Sequence, residues 1–165
     1  MPALSEHAAR ALDLLAHNPE FRYVSAEHLA EFARHGRRRR FSSGKPLMKQ
    51  GEQSDSLHVL VKGHVKVERE NRAGDGSLVL LAELGPGDIV GEMGVLLNQP
   101  RNATVTALEA VETLQLNAGF LNDILEQEPD VLVALTKVIN ERLKSPEAVI
   151  ENVYQLALAH ASVAM

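Results

Sequence analysis

Between Arg37 and Asn117 the sequence breaks into eight short β-like runs: "RRRRFS", "KPLMKQG", "LHVLVKG", "HVKVERE", "SLVLLAEL", "DIVG", "NATVTAL" and "VETLQLN". The breaks between them, among them Lys62-Gly63, "NRAGDG" and "GPGD", have hairpin or tight-turn chemistry. Strands this short bury little apolar surface singly, so many of them at this spacing imply a sandwich or a barrel closed on itself. This segment constrains the fold more than any other.

The flanks have a different period. From Ser5 to His35 apolar residues recur at helical spacing, as in Leu12, Leu15 and Ala16, then Leu29, Phe32 and Ala33, with breaks at Asn18-Pro19 and Gly36. Two short helices fit residues 1–36, with Ser25 as N-cap of the second and Gly36 as its stop. Helix returns after the strands, over 118–165. "FLNDILEQE" ends before Pro129 and "DVLVALTKVINERL" follows it, with Leu132, Leu135, Val138, Ile139 and Leu143 as the expected packing stripe. Ser145-Pro146 should stop that helix and form a hinge. Beyond it "EAVIENVYQLALAH" is apolar around much of its circumference and carries Tyr154, whose ring could stack on a purine as a lid.

Composition narrows the function classes. The 165 residues suffice for one domain with a real core and are too few for two. There is no cysteine, hence no disulfide framework, thiol nucleophile or Cys-based zinc site. A formal net charge of −5 argues against a general nucleic-acid binder. Arg37 to Arg40 would alternate faces on a strand, and the better reading is a solvated edge whose cations block edge-to-edge pairing. With no 18-residue apolar run and no signal-peptide pattern, a cytoplasmic protein without a membrane span is expected.

The stretch "GEMGVLLNQPRNATV", residues 91–105, sets one carboxylate and one guanidinium at the two ends of an uncharged segment. Residues Glu92 to Leu97 fit one short buried helix, whose first N–H groups lack intrahelical partners and favour an anion. Gly91 and Gly94 let a ligand approach the main chain, and Arg101, returning on the next strand, can add charge-assisted bonds to a phosphate. Glu92 would repel that phosphate but can accept from a ribose 2′-hydroxyl. The pair reads as a ribose-phosphate clamp, with acceptor and cation nine positions apart.

This stretch closely resembles the phosphate-binding cassette of cyclic nucleotide-binding domains, as in the catabolite activator protein, the regulatory subunit of the cAMP-dependent protein kinase and cyclic-nucleotide-gated channels. "FSSGKPLMKQGEQSDSLHVLVKGHVKV" resembles that family's opening strands and "LGPGDIVGE" the turn feeding the cassette, so the likeness spans roughly residues 20–143. The resemblance implies an α+β fold, an antiparallel β jelly-roll barrel over 37–117 with flanking N-terminal and C-terminal helices. It implies a cassette over 91–104 in which Gly91 and Glu92 meet the ribose and Arg101 meets the cyclic phosphate. Backbone N–H groups of Gly94, Val95 and Ala103 would complete the phosphate cradle, and Met93, Asn102 and Thr104 belong to the same nucleotide-binding segment. Family members often carry Ala, Ser or Thr where Asn102 stands, and a hydroxyl there favours guanine, so cAMP is the expected ligand with cGMP still open.

Three rivals have sequence discriminators. A metal-dependent cupin enzyme needs a His-x-His pair, whereas His58 and His64 are six apart with Gly63 between them, and Gly91 stands where its last histidine would fall. A DNA-binding regulator of the activator type needs a helix-turn-helix, and the 22 residues after Leu143 are too few to fold one. A domain with no bound ligand, acting as an interaction module, would not need both Glu92 and Arg101. The expectation is a stand-alone, non-enzymatic receptor with no catalytic cofactor and no metal. It would signal through its C-terminal helices to an effector protein or to a second copy of itself.

Overall fold

The structure, a computed structural model, describes residues 3–71 and 73–142. Leu143, the Ser145-Pro146 hinge and Tyr154 lie outside the described residues. Two helices, α1 (Glu6–Ala16) and α2 (Ala26–Arg34), flank a single 3-10 turn at Pro19–Phe21. Each start is capped by a side chain: Ser5 accepts from the Ala8 N–H, Asn18 from Glu20 and Ser25 from His28. The expected caps at Ser25 and the break at Asn18-Pro19 are therefore in place.

All eight β-like runs become strands: β1 (Arg37–Phe41), β2 (Pro46–Met48), β3 (Ser56–Lys62), β4 (Val65–Glu70), β5 (Leu78–Leu84), β6 (Ile89–Val90), β7 (Thr104–Ala107) and β8 (Val111–Asn117). They do not close into a barrel. They form two antiparallel four-stranded sheets, one ordered β1-β8-β3-β6 and the other β2-β7-β4-β5. The strands at the sheet ends are short, two residues in β6 and three in β2, and no ladder joins one sheet to the other among the described residues. The fold is a jelly-roll sandwich with helices on one side.

Parity along β3 explains its continuous burial. Leu57, Val59 and Val61 join Leu114 and Leu116 in a core against the helices, which includes Leu15, Phe21, Leu29, Phe32 and Leu121. Leu60, pointing the other way, packs with Val65, Val90, Val105 and Val111 between the sheets. A sheet covered on both faces needs an apolar residue at nearly every position, which is why "LHVLV" does not alternate.

After β8 come α4 (Ala118–Gln127) and α5 (Pro129–Arg142). The packing stripe of α5 is turned from the expected one: Val131, Ala134, Leu135 and Val138 are buried, while Leu132 is exposed. Gly36 follows the end of α2, where the stop was expected, but not as a left-handed cap. His35 closes α2 in a right-handed conformation, and a side chain at Gly36 would strike Leu114, its Cβ falling 2.2 Å from Cγ. Close approach of chain to core, not a left-handed cap, requires glycine there. β1 is an edge strand with Arg37 to Arg40 all exposed. Arg38 and Arg40 both reach Glu112, and Arg39 reaches Gln115.

Candidate functional site

The segment between β6 and β7 contains one six-residue helix, α3 (Glu92–Leu97). Gly91 precedes it with φ +85, a left-handed conformation that side chains rarely tolerate. A Cβ there would also lie 2.6 Å from Arg101 Nη1 and 3.0 Å from the Ser56 carbonyl oxygen. Gly94 is held just as tightly, since its Cβ would meet Ser54 Oγ at 2.1 Å. The helix ends at Asn98, left-handed with φ 52, whose N–H reaches the Gly94 and Val95 carbonyls.

Arg101 lies in the loop before β7, not on the strand where the sequence pattern put it. Its backbone is held by non-local bonds: its N–H donates to Glu52 O at 2.8 Å, and its carbonyl accepts from Gly51 at 2.8 Å. The residue is 6% exposed. Nη1 donates to the Gly91 carbonyl at 3.1 Å, and Nη2 donates to the Ser56 carbonyl at 2.6 Å and to Ser56 Oγ at 3.4 Å. The exposed carboxylate of Asp55 stands 3.5 Å from Nη2. Burial pulls the guanidinium pKa below its ordinary value, and the Asp55, Glu52 and Glu92 carboxylates oppose that pull. It remains a cation at neutral pH.

Glu92, the first residue of α3, is 2% exposed, so the structure brings Gly91, Glu92 and Arg101 into one buried charged cluster. Val95 and Ala103 are buried beside them. The Val95 N–H contacts the Gly91 carbonyl at 3.4 Å, a long bond that holds it weakly. Asn102 touches Met93 across the loop, Nδ2 to Sδ at 3.5 Å. Thr104 Oγ1 accepts from the Gln50 N–H at 2.9 Å and thereby braces β7 to the β2–β3 loop.

Two residues of this cluster were not assigned to the cassette from the sequence: Ser56 was not singled out, and His58 was weighed only as a cupin ligand. Ser56 receives Arg101, and its hydroxyl also accepts from Gln115 Nε2 at 3.1 Å. His58 is buried on the same face of β3, with Nδ1 2.8 Å from Thr113 Oγ1. Burial, joined by the charges of Arg101 and Arg39, lowers its pKa to about 4, so the imidazole is neutral at pH 7. Their signal was parity: Ser56 and His58 are polar residues at alternate positions of an otherwise apolar run.

His58 and His64, the pair a cupin would use, are separated. His64 follows the Gly63 turn and contacts Glu109 at 2.6 Å on the surface. The residues that come together as potential metal ligands, among those described, are His28, Glu128 and Asp130, away from the cassette. Among the described residues no helix is long and apolar enough to cross a membrane.

Residues 38–128 match the family model of the cyclic nucleotide-binding domain. The chain belongs to that family. The domain is 30% identical over 104 residues to a CRP-like cAMP-activated global transcriptional regulator of Mycobacterium tuberculosis, covering 63% of this chain and 46% of that protein. Over 104 residues it is 24% identical to lysophospholipase nte1 of Neurospora crassa, covering 63% of this chain and 7% of that much longer protein. The chain thus spans less than half the length of these curated relatives. Among solved structures, the N-terminal domain of a transcriptional regulator from Streptomyces coelicolor superposes with a TM-score of 0.65 at 34% identity, covering 80% of this chain and 90% of that one. The catabolite activator protein of Thermus thermophilus gives 0.70 at 26% identity, with 86% and 63% covered. The family is a regulatory ligand-binding one, and the domain also occurs within larger enzymes such as the lysophospholipase.

Proposed function

We propose that this domain is a receptor for cAMP, with Arg101 on the cyclic phosphate and Glu92 on the ribose 2′-hydroxyl. The observation that carries the reading is the buried Arg101 guanidinium, fixed against Gly91 and Ser56 beside buried Glu92 inside the family's cassette segment. The guanidinium is a cation suited to a phosphate, and the carboxylate is an acceptor suited to a sugar hydroxyl.

A guanidinium has five N–H donors, and the three contacts to Gly91 and Ser56 leave Nε–H and one Nη1–H for a phosphate. A fully bidentate grip requires the group to turn off the Ser56 carbonyl. Gly91 and Gly94, with the N–H groups of Val95 and Ala103, line the remaining approach, and Met93, Asn102 and Thr104 shape the loop. The M. tuberculosis relative is named for activation by cAMP, which supports adenine as the base. The domain has no catalytic role in this reading: it binds, and α4 and α5 report.

Calorimetric titration with cAMP, cGMP and 2′-deoxy-cAMP tests it. Binding of cAMP, weakened by loss of the 2′-hydroxyl and weakened strongly in Arg101→Ala, is the expected result. Wild-type affinity in Arg101→Ala would place the ligand elsewhere.

A further inference from the structure

His28 stands on α2 with a carboxylate at each end of its ring. Nε2 is 2.7 Å from Glu128 Oε2, at the C-terminal end of α4, and Nδ1 is 2.7 Å from Asp130 Oδ2, in the first turn of α5. An ionised carboxylate only accepts, so both contacts are hydrogen bonds only when both ring nitrogens carry protons. Each ring nitrogen has its own carboxylate oxygen at hydrogen-bond distance, the arrangement in which an imidazolium donates to both. Pro129 lies between the two acidic partners, at the bend where α4 gives way to α5. We propose that the His28 imidazolium is a proton-operated latch that holds the α4–α5 junction against the N-terminal helices.

The surroundings agree. The Asp130 hydrogen bond raises the His28 pKa above its ordinary 6.5, desolvation opposes this, and the Asp130, Glu128 and Glu27 charges add to the rise. All the charges acting on the ring are negative. Burial pushes Asp130 upward, but bonds from His28, the Ser25 N–H and the Val131 N–H outweigh it and leave its pKa lowered. Asp130 thus joins the α2 cap residue, His28 and its own helix start at one carboxylate. A histidine whose pKa is raised by folding contributes fully below the unfolded value of about 6.5, and the contribution fades as pH rises through the folded value. The latch is closed in mild acid and loosens toward alkaline pH. Losing the proton leaves one of the two facing carboxylates without a donor from the ring, and the junction is then held less tightly.

The test has one arm that needs no variant. Two-dimensional NMR of the His28 ring should show a pKa above 6.5, falling in Asp130→Asn and in Glu128→Gln. Hydrogen exchange over residues 131–141, corrected for the intrinsic rate, should rise several-fold as pH passes through that pKa. In His28→Gln it should stay at the high-pH wild-type level throughout. A wild-type pKa at or below 6.5, pH-independent exchange, or pH dependence that survives in His28→Gln would overturn the latch, as would equimolar zinc chloride shifting the His28 resonances. That the latch also tunes nucleotide affinity rests on the proposed cassette reading, and a third arm, cAMP titration at pH 6 and pH 8, addresses only that. If no cAMP binds, the resonance and exchange arms still decide the latch.

Discussion

Arg101 Nη2 donates to the carbonyl oxygen of Ser56 at 2.6 Å, joining the loop after α3 to the first residue of β3 across 45 positions of sequence. The guanidinium is therefore part of the fold before any ligand arrives, and binding has to compete with that bond. Arg101→Ala should weaken cAMP binding by about 2–5 kcal/mol, the range for removing one partner of a buried charge pair. Lysine should restore only part, because it lacks the planar fork. Isothermal calorimetry measures both, and circular dichroism shows that the β fold survives.

Gly91→Ala is expected to be more disruptive than its size suggests. It combines a left-handed φ of +85 with a Cβ placed 2.6 Å from Arg101 Nη1. Strain of this kind is typically about 1–3 kcal/mol. Urea unfolding should show the loss of stability. The displaced guanidinium should lower cAMP affinity as well, whereas Gly44→Ala, also at positive φ but with open space around it, should affect stability alone.

Glu92→Gln separates the proposed ribose contact from the proposed phosphate contact. An amide keeps one acceptor oxygen but has no charge to strengthen the bond, so cAMP should bind about tenfold more weakly, roughly 1.4 kcal/mol. The preference for cAMP over 2′-deoxy-cAMP should shrink in the same variant. Equal discrimination in wild type and variant, read by competition titration, would remove Glu92 from the ribose.

His58 gives the site a pH signature. Its folded pKa of about 4 lies below the unfolded value, so as pH falls through 6.5 the unfolded chain gains a proton that the fold refuses. Stability should decline between about pH 6.5 and pH 4, by on the order of 3 kcal/mol, and level off below. His58→Gln, which retains a polar group for Thr113, should lose this component in a comparison of thermal unfolding curves. A phosphate on Arg101 would offset one of the charges that lower His58, so cAMP should raise its pKa, as NMR titration can show.

The fold was legible where local chemistry decides it. Turn residues delimit the eight runs that became strands, and Ser25 caps α2 as its sequence position suggests, because its short hydroxyl reaches the His28 N–H. The candidate site was legible as a cluster, since Gly91, Glu92 and Arg101, which the fold brings together, are close in sequence. What could not be read were partners brought from a distance. Ser56 and His58 sit in a run whose apolar neighbours face two different cores, and the Gly51 and Glu52 bonds that hold Arg101 in a loop leave no trace in "RNATV". In α5, apolar residues occur at both Val131 and Leu132, so period alone could not choose the buried stripe.

Asn102 bears on the base. Its amide makes one contact in the loop, to Met93 Sδ at 3.5 Å, and a thioether is a weak acceptor, so the side chain is not locked in place. It has no hydroxyl to offer a guanine amino group, and most of the affinity in this arrangement comes from phosphate and ribose. Both cAMP and cGMP should therefore bind, with cAMP favoured by about tenfold, roughly 1.4 kcal/mol. Asn102→Ala should leave the ratio nearly unchanged, while Asn102→Thr, which installs a hydroxyl at a place the Thr104 bond to Gln50 keeps rigid, should move it toward cGMP. Paired calorimetric titrations of the three proteins give the ratios directly. A wild-type affinity for cGMP about a hundredfold above that for cAMP would mean that groups other than residue 102 read the base.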